Sequence, residues 1–499
     1  MHAEHEIRAE PAGSRAPPLL RPGETCWRIE PAHRVALLLD AAACFAAMKA
    51  ALLAARRSVL LLGWEFDPRT RLEPERPPGA TEVPDAVGPL LCHLAQREPA
   101  LDIRVLIWDA ALPVMASRSF FPQRARGWFR GTRVDFRLDD AHPRGACHHQ
   151  KLLVVDGAVA FCFGDDLSTS RWDTPAHCDR HPARRLPSGR IHVPRHSLAM
   201  LVDGDAARAL DELARDRWRR ATGEEIAAPH GPSAPEADPW PDRVAPDLTQ
   251  VPVAIIRTDP PFEGRPAVRE NEALYLDAIA GARRLIYFEN QYFASPHITE
   301  ALAARLAEPD GPEIVAILSS HSPSWFDRFV MDVTRDAMLA RLGAGDPHGR
   351  FHAYAPKTPG GRTVIVHSKL LVVDDRLLRL GSANLNNRSF GYDTECDLAI
   401  ETTPGAAGRR ERATIRRLRR TMVAHFLGCG AGRLGAAERQ SGSLAGAIVA
   451  LDRGPVRRLQ PLAPRGPSNP VTRLIASRHL GDPEGEADAW RPWRRRHGA

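Results

Sequence analysis

A histidine with a lysine two residues on and an aspartate seven residues on occurs twice in this chain: His149, Lys151 and Asp156, then His367, Lys369 and Asp374. The two sets stand at one offset of 218 (367 less 149, 369 less 151, 374 less 156), share the core LLVVD, and Asp166 precedes Asn384 by the same 218 residues. Such agreement marks an internal duplication. Because side chains alternate along a strand, His367 and Lys369 project from one face, while Leu370 to Val373 bury the strand between layers. After a second apolar run, Leu377 to Leu380, the chain turns through Gly381 and presents Ser382 and Asn384, again two apart. A histidine, an ammonium, a hydroxyl and an amide can thus converge. Two such units supply what cleavage of a phosphodiester needs: an imidazole nucleophile, an imidazolium acid for the leaving oxygen, and cations for the non-bridging oxygens.

The pattern H-x-K-x4-D followed by G-S-x-N resembles the phospholipase D superfamily. The second copy matches in full; the first has Phe163, Gly164, Asp165 and Asp166 at the G-S-x-N positions. It is similar to the G-G-x-D-L form of the bacterial phospholipase D-like branch, as are Arg171, Trp172, Asp173 and Thr174 (R-W-D-T) and Glu289 to Phe293 (E-N-Q-[FY]-F). The resemblance covers roughly residues 35 to 430. It implies an α/β fold of two similar domains, each a mixed sheet flanked by helices, related by a pseudo-twofold axis with the active site at their interface. It implies His149 as nucleophile and His367 as acid, though the near symmetry of the halves leaves their order open. It further implies Lys151, Lys369, Asp156, Asp374 and Glu395 in the catalytic set, with Asp166, Ser382 and Asn384 on the substrate. Glu395, 28 residues after His367 (395 less 367), would orient a histidine, with Asp173 as the weaker counterpart in the first half. Asp156 and Asp374 sit at an odd offset from their histidines, which favours a turn or ion-pair role. Asp166 replaces an amide and cannot donate unless protonated.

The chemistry follows as a ping-pong phosphohistidine reaction without cofactor, since lysines stand at the phosphate and no carboxylate cluster offers to hold a metal there. Only four of the 68 basic residues are lysine, and two of those are Lys151 and Lys369. A chain that otherwise uses arginine has kept a compact ammonium at those positions. The expected activity is hydrolysis of glycerophospholipids, or transfer of the phosphatidyl group to another alcohol. The alternatives are a nuclease, a cardiolipin-synthase-like transferase and, in another class, a non-catalytic scaffold on anionic membrane. Phospholipid is the expected partner and nucleic acid the lesser one, with no aromatic run for base stacking; a monomer suffices for an active site.

At 499 residues the chain exceeds one hydrophobic core. Its net charge of +7 favours anionic partners without choosing among them. No signal peptide or membrane span is expected, because acids interrupt the N-terminus and charges interrupt the apolar region 35–64. The default location is cytoplasmic, with peripheral membrane contact. Cysteines without regular spacing argue against a zinc site or disulfide framework, and Cys162 and Cys396 read as buried thiols. His142, His177, His181 and His192 read as solvated, and Trp172 and Glu289 as packing as much as substrate contacts. The pattern divides the chain into a disordered 1–25, a first domain 26–221, a linker 222–251 rich in Pro, Ala and Asp, a second domain 252–430 and a loose extension 431–499. Helices are expected over 40–55, 86–95, 206–220, 271–282, 299–307 and 325–342, the last without a counterpart in the first half. Strands are expected over 58–64, 103–108, 133–138, 197–202, 283–289 and 313–318. Residues 409–427 form an amphipathic helix whose arginine face is either solvated after docking or directed at anionic lipid.

Overall fold

A computed structural model describes residues 17–77, 82–110, 122–228, 238–324, 327–463 and 469–489. The strands of the first half are β1 (Arg28–Leu39), β2 (Ser58–Gly63), β3 (Asp102–Trp108), β4 (Val134–Asp139), β5 (Leu152–Val155), β6 (Val159–Phe163), β7 (Arg195–His196) and β8 (Leu198–Asp203). Those of the second are β9 (Leu248–Asp259), β10 (Val268–Arg269), β11 (Leu285–Asn290), β12 (Glu313–Leu318), β13 (Phe351–Pro356), β14 (Ile365–Val366), β15 (Leu370–Val373), β16 (Leu377–Gly381), β17 (Glu395–Glu401) and β18 (Leu459–Pro461).

All but β7 and β14, which pair with each other, assemble into one mixed sheet in the order β18-β13-β12-β11-β15-β16-β17-β9-β1-β8-β6-β5-β2-β3-β4, with β10 beside β9. Outward from the antiparallel β1–β9 pair, the two halves follow the same path: β1, β8, β6, β5, β2, β3, β4 on one side and β9, β17, β16, β15, β11, β12, β13 on the other. The duplication is therefore a twofold of topology. The expected pair of sheets is in fact a single sheet through the centre, because β1 and β9 are long strands whose backbones pair from Arg28↔Ile255 to Val35↔Leu248.

Helices cover both faces, so the strands read as apolar runs. Alternation still sorts the side chains: Leu60, Leu62, Leu370 and Val372 enter a core on one face that spans both halves. Val59 and Leu61 enter a first-half core on the other face, and Leu371 and Val373 its second-half counterpart. The shared core lies under the helices Gly204–Thr222 and Gly405–Phe426.

Most expected elements stand within three residues of where they were placed. Four expectations change. Of the segment 1–25 only residues 17–25 are described, and there Leu19 and Leu20 are buried, their amides donating to Glu401. The segment expected as linker ends inside β9, and Trp240 within it is buried. The helix expected over 325–342, whose first two residues lie outside the described ones, opens as a π-turn (Arg328–Asp332) and continues to Ala344; the short helix Pro122–Trp128 is its first-half counterpart. The C-terminal extension is built in: helices Ala431–Ser441 and Leu444–Leu451 join the shared core, and β18 extends the sheet.

Helix Gly405–Phe426 docks as its apolar spacing requires, burying Ile415, Leu418, Met422 and Phe426. Much of its arginine face is internally paired: Arg416 and Arg419 to Asp375, Arg417 to Asp247, Arg420 to Glu438. No helix among the described residues is long and apolar enough to cross a membrane.

Candidate active site

The two H-x-K segments enter strands β5 and β15, and each is clamped from the opposite half just before its histidine. His148 bridges Thr394, and β14 pairs in parallel with β7, Val366 beside His196. The amide of His149 donates to the carbonyl of Thr394 at 3.0 Å, and that of His367 to the carbonyl of His196 at 2.8 Å. Each histidine is thus fixed by the half it does not belong to.

Their imidazoles are held differently. Nδ1 of His149 donates to Glu395, 2.8 Å from Oε2 and 3.0 Å from Oε1. Nδ1 of His367 donates to the carbonyl of Gly164 at 2.9 Å, with Asp165 Oδ1 at 3.4 Å. Acceptance by Glu395 and by the Gly164 carbonyl places a proton on Nδ1 of each ring, although Lys369 Nζ also lies 3.0 Å from Nδ1 of His367, and leaves Nε2 as the atom with a lone pair. The partner of His367 comes from the segment that departs from G-S-x-N. A Cβ at Gly164 would press on the carbonyl oxygens of His367 at 3.2 Å and Gly381 at 3.3 Å, tighter than an ordinary van der Waals contact.

Burial pushes both imidazoles well below the ordinary range, reinforced for His149 by Lys151 and Lys369, and for His367 by Lys369, Arg195 and Arg171. Each histidine feels both lysines, so the four groups converge on one locus. Glu395 is pushed up to about 7 by burial, against the hydrogen bond from Ser382. Burial disfavours charge on both members of the Glu395–His149 pair, so it titrates as a unit. The ammonium of Lys369 is fully buried and driven below its usual range by desolvation, although Asp165 opposes this. Its Nζ donates to the carbonyls of His367 at 2.8 Å and Gly164 at 3.1 Å and to Gln291 Oε1 at 3.2 Å.

Four expected site residues have other duties. Asp156 and Asp374 lie at the far ends of β5 and β15 from the histidines, each at positive φ (57° and 54°). Asp156 accepts the amides of Arg56, Arg57 and Ser58 at 2.7–2.9 Å, and Asp374 those of Arg283, Arg284 and Leu285 at 2.8–2.9 Å. They pin the starts of β2 and β11, since the odd offset turns them from the site. Asp166 accepts the amides of Trp64 and Glu65, both at 3.1 Å, and faces Lys151 Nζ at 3.3 Å. Burial alone would raise its pKa, but Lys151 and Arg171 hold it below the usual range, so it is a carboxylate that seats Lys151. Ser382 donates to Glu395 Oε2 at 2.5 Å and accepts the amide of Cys396 at 3.0 Å, supporting Glu395 rather than facing a ligand. Asn384 is buried with its Oδ1 unpartnered among the described residues, and stays a candidate substrate contact.

Sequence reasoning missed the cluster behind His367. Asp165 binds Arg195 Nε at 2.5 Å and Arg171 Nε at 3.2 Å, and Arg171 also binds Glu65 at 2.8 Å. Arg195 opens β7 and belongs to no motif, and only the β7–β14 pairing brings it in. Asp173, considered as a counterpart of Glu395, instead binds His177, Arg184 and the amide of Arg195. Glu289 accepts from His196, Ser368 and Tyr287 at 2.6–2.7 Å, while Trp172 is core. His177 and His192, expected in solvent, are buried; Cys162 and Cys396 are buried as expected.

Among known proteins, a family model described as "Cardiolipin synthase, PLD-like domain" matches residues 275–413. Phospholipase D alpha 4 of Arabidopsis thaliana is 24% identical over 455 residues, 69% of this chain and 58% of its own. Cardiolipin synthase A of Pseudomonas putida (strain GB-1) is 27% identical over 329 residues, 63% of this chain and 57% of its own. The chain thus spans somewhat more than half the length of these curated relatives. A phosphatidylserine synthase structure from Haemophilus influenzae Rd KW20 superposes with a TM-score of 0.54 at 14% identity, over 79% of this chain and 88% of that one, a likeness of fold.

Proposed function

We propose that this chain, which belongs to the phospholipase D superfamily, is a phosphodiesterase acting on glycerophospholipids through a phosphohistidine. The observation that carries the reading is the crossed support of the two imidazoles. Nδ1–H of His149 lies on Glu395 and Nδ1–H of His367 on the Gly164 carbonyl, which leaves both Nε2 atoms for the same phosphorus.

Nε2 of His149 attacks phosphorus, and the bond to the head-group oxygen breaks. His367, protonated at Nε2, gives that proton to the departing alcohol. Burial, with repulsion from the lysines, keeps His367 neutral when no anion is bound; a phosphodiester anion between Lys151 and Lys369 offsets the repulsive part, so substrate itself favours the acid form. Glu395 stabilises the positive charge that His149 gains on forming the P–N bond, which favours His149 over His367 as nucleophile. Neutral His367 then takes a proton from water or an alcohol whose oxygen attacks phosphorus, and the P–N bond breaks. Water gives phosphatidic acid, and an alcohol gives a new phospholipid.

Similarity to cardiolipin synthases over 63% of the chain supports a second reading in which the acceptor is a lipid alcohol, through the same intermediate. Incubation with mixed phospholipid vesicles decides between them. Release of head group, and phosphatidylethanol when ethanol is present, is the expected result. Cardiolipin formed from phosphatidylglycerol vesicles in preference to phosphatidic acid selects the transferase. Turnover of DNA with none of lipid overturns both.

A further inference from the structure

Around β7, whose His196 carbonyl accepts the amide of His367, four side chains from distant parts of the chain meet: Asp40 just after β1, His177 in the loop after the first motif, His196 of β7 and His425 in the last turn of Gly405–Phe426. One donor atom from each lies within 4.8 Å of the other three. Asp40, His177 and His196 have no solvent exposure. Asp40 Oδ2 and His177 Nε2 find no hydrogen-bond partner among the described residues, and the His425 ring has at most the backbone of Met422 and Thr421 in its own helix. Leaving such groups buried and unpaired costs free energy.

We propose that Asp40, His177, His196 and His425 form a closed site for a divalent transition-metal ion, zinc by the chemistry of its donors. Three imidazoles and a carboxylate are a complete tetrahedral set, and imidazole suits zinc over magnesium or calcium. Bond lengths of about 2.0–2.1 Å place tetrahedral ligands about 3.3 Å apart. His177 Nε2 lies 3.5 Å from Asp40 Oδ2, and His196 Nδ1 2.9 Å from Asp40 Oδ1.

A second, independent observation points the same way. Metal-bound histidines characteristically donate their other N–H to a carboxylate. His177 Nδ1 donates to Asp173 at 3.1 Å, itself held by Arg184, and His196 Nε2 donates to Glu289 at 2.7 Å, itself held by Ser368 and Tyr287. Two of the three imidazoles therefore have their tautomer set by a buried acid, with the remaining nitrogen turned into the cluster. Ligation by His196 through Nδ1 displaces the proton it shares with Asp40, while its Nε2–H stays on Glu289. Phe426, against His196 at 4.8 Å between ring centroids, walls the cluster with apolar surface. The ion fastens a helix of the second half to the first, at the backbone of His196 that fixes His367.

Metal content of the purified full-length protein tests this. About one zinc per chain is expected, with X-ray absorption showing nitrogen and oxygen neighbours and no sulfur. Stripping with a chelator should lower the thermal midpoint, and zinc chloride should restore it. His425→Ala should abolish tight binding, and Asp173→Asn should weaken it roughly 10- to 100-fold. His149→Ala and His367→Ala should keep the full metal content, which separates this site from the phosphate locus. Substoichiometric metal with no shift of the thermal midpoint on adding zinc overturns the proposal, leaving a cluster that holds only the proton between Asp40, His196 and Glu289. Equal metal content in wild type and His425→Ala overturns it as well.

Discussion

His149 and His367 sit in related strands but lean on unlike partners, a carboxylate and a peptide carbonyl. In the proposed reaction they act in series, so His149→Ala and His367→Ala should each forfeit far more than the roughly 10²- to 10⁴-fold of general acid catalysis alone. Circular dichroism should stay at wild type, and either variant with wild-type turnover removes the assignment. Glu395 adds a pH signature. Burial places it at about 7; as pH falls through that value the pair takes up a proton, His149 loses its anionic support, and turnover declines. A pH–rate profile should show this acid limb, with an apparent pKa near 7 belonging to the pair. Glu395→Gln should lower turnover and remove the limb, and an unchanged limb would show that another group titrates there.

At the scale of elements, the two LLVV strands are tied to their neighbours by the aspartates that follow them. Asp374 accepts three amides at the start of β11, as Asp156 does for β2. Asp374→Ala should therefore cost about 1–3 kcal/mol of stability, the penalty of leaving a partly buried amide unpaired. Urea denaturation measures the loss. Turnover per folded molecule should stay close to wild type, and a collapse of turnover at full stability would return Asp374 to the chemistry. Helix Gly405–Phe426 works the same way, through packing and the Asp375 and Glu438 ion pairs, while Arg409, Arg410 and Arg412 near its start are exposed.

Over the whole molecule, the β1–β9 pair makes one sheet from two repeats, and a common core runs beneath both. Unfolding either repeat exposes the other's central strand and half of that core, so the chain should unfold in a single transition. Seven of the ten tryptophans lie at or before Trp240, so fluorescence reports chiefly on the first half, whereas far-ultraviolet circular dichroism reports on both. The two denaturation curves should coincide, and separated midpoints would show that the repeats fold independently.

Local pattern carried a good deal. The H-x-K spacing, the 218-residue offset and the apolar runs are properties of neighbouring residues, and they sufficed for the α/β class, the duplication, and the pairing of His149 and His367 with Lys151 and Lys369. The strand period even turned Asp156 and Asp374 away from the site, because side-chain facing depends on parity alone. What lay beyond reach depends on contacts between residues far apart in the chain. Nothing near Glu395 says that it meets His149, nor near Gly164 that its carbonyl receives His367, because backbone carbonyls have no sequence signature. Ser382 and Asp166 carry the residue types of a phosphate site, yet their hydrogen bonds are already spent on Glu395 and on the amides of Trp64 and Glu65. Asp40, His177, His196 and His425 share no spacing at all. They become neighbours only because β7 pairs with β14 and the helix Gly405–Phe426 lies over the joint. Sequence fixes which groups are present and which way a strand presents them; only the closing of the two halves on one another decides which groups meet.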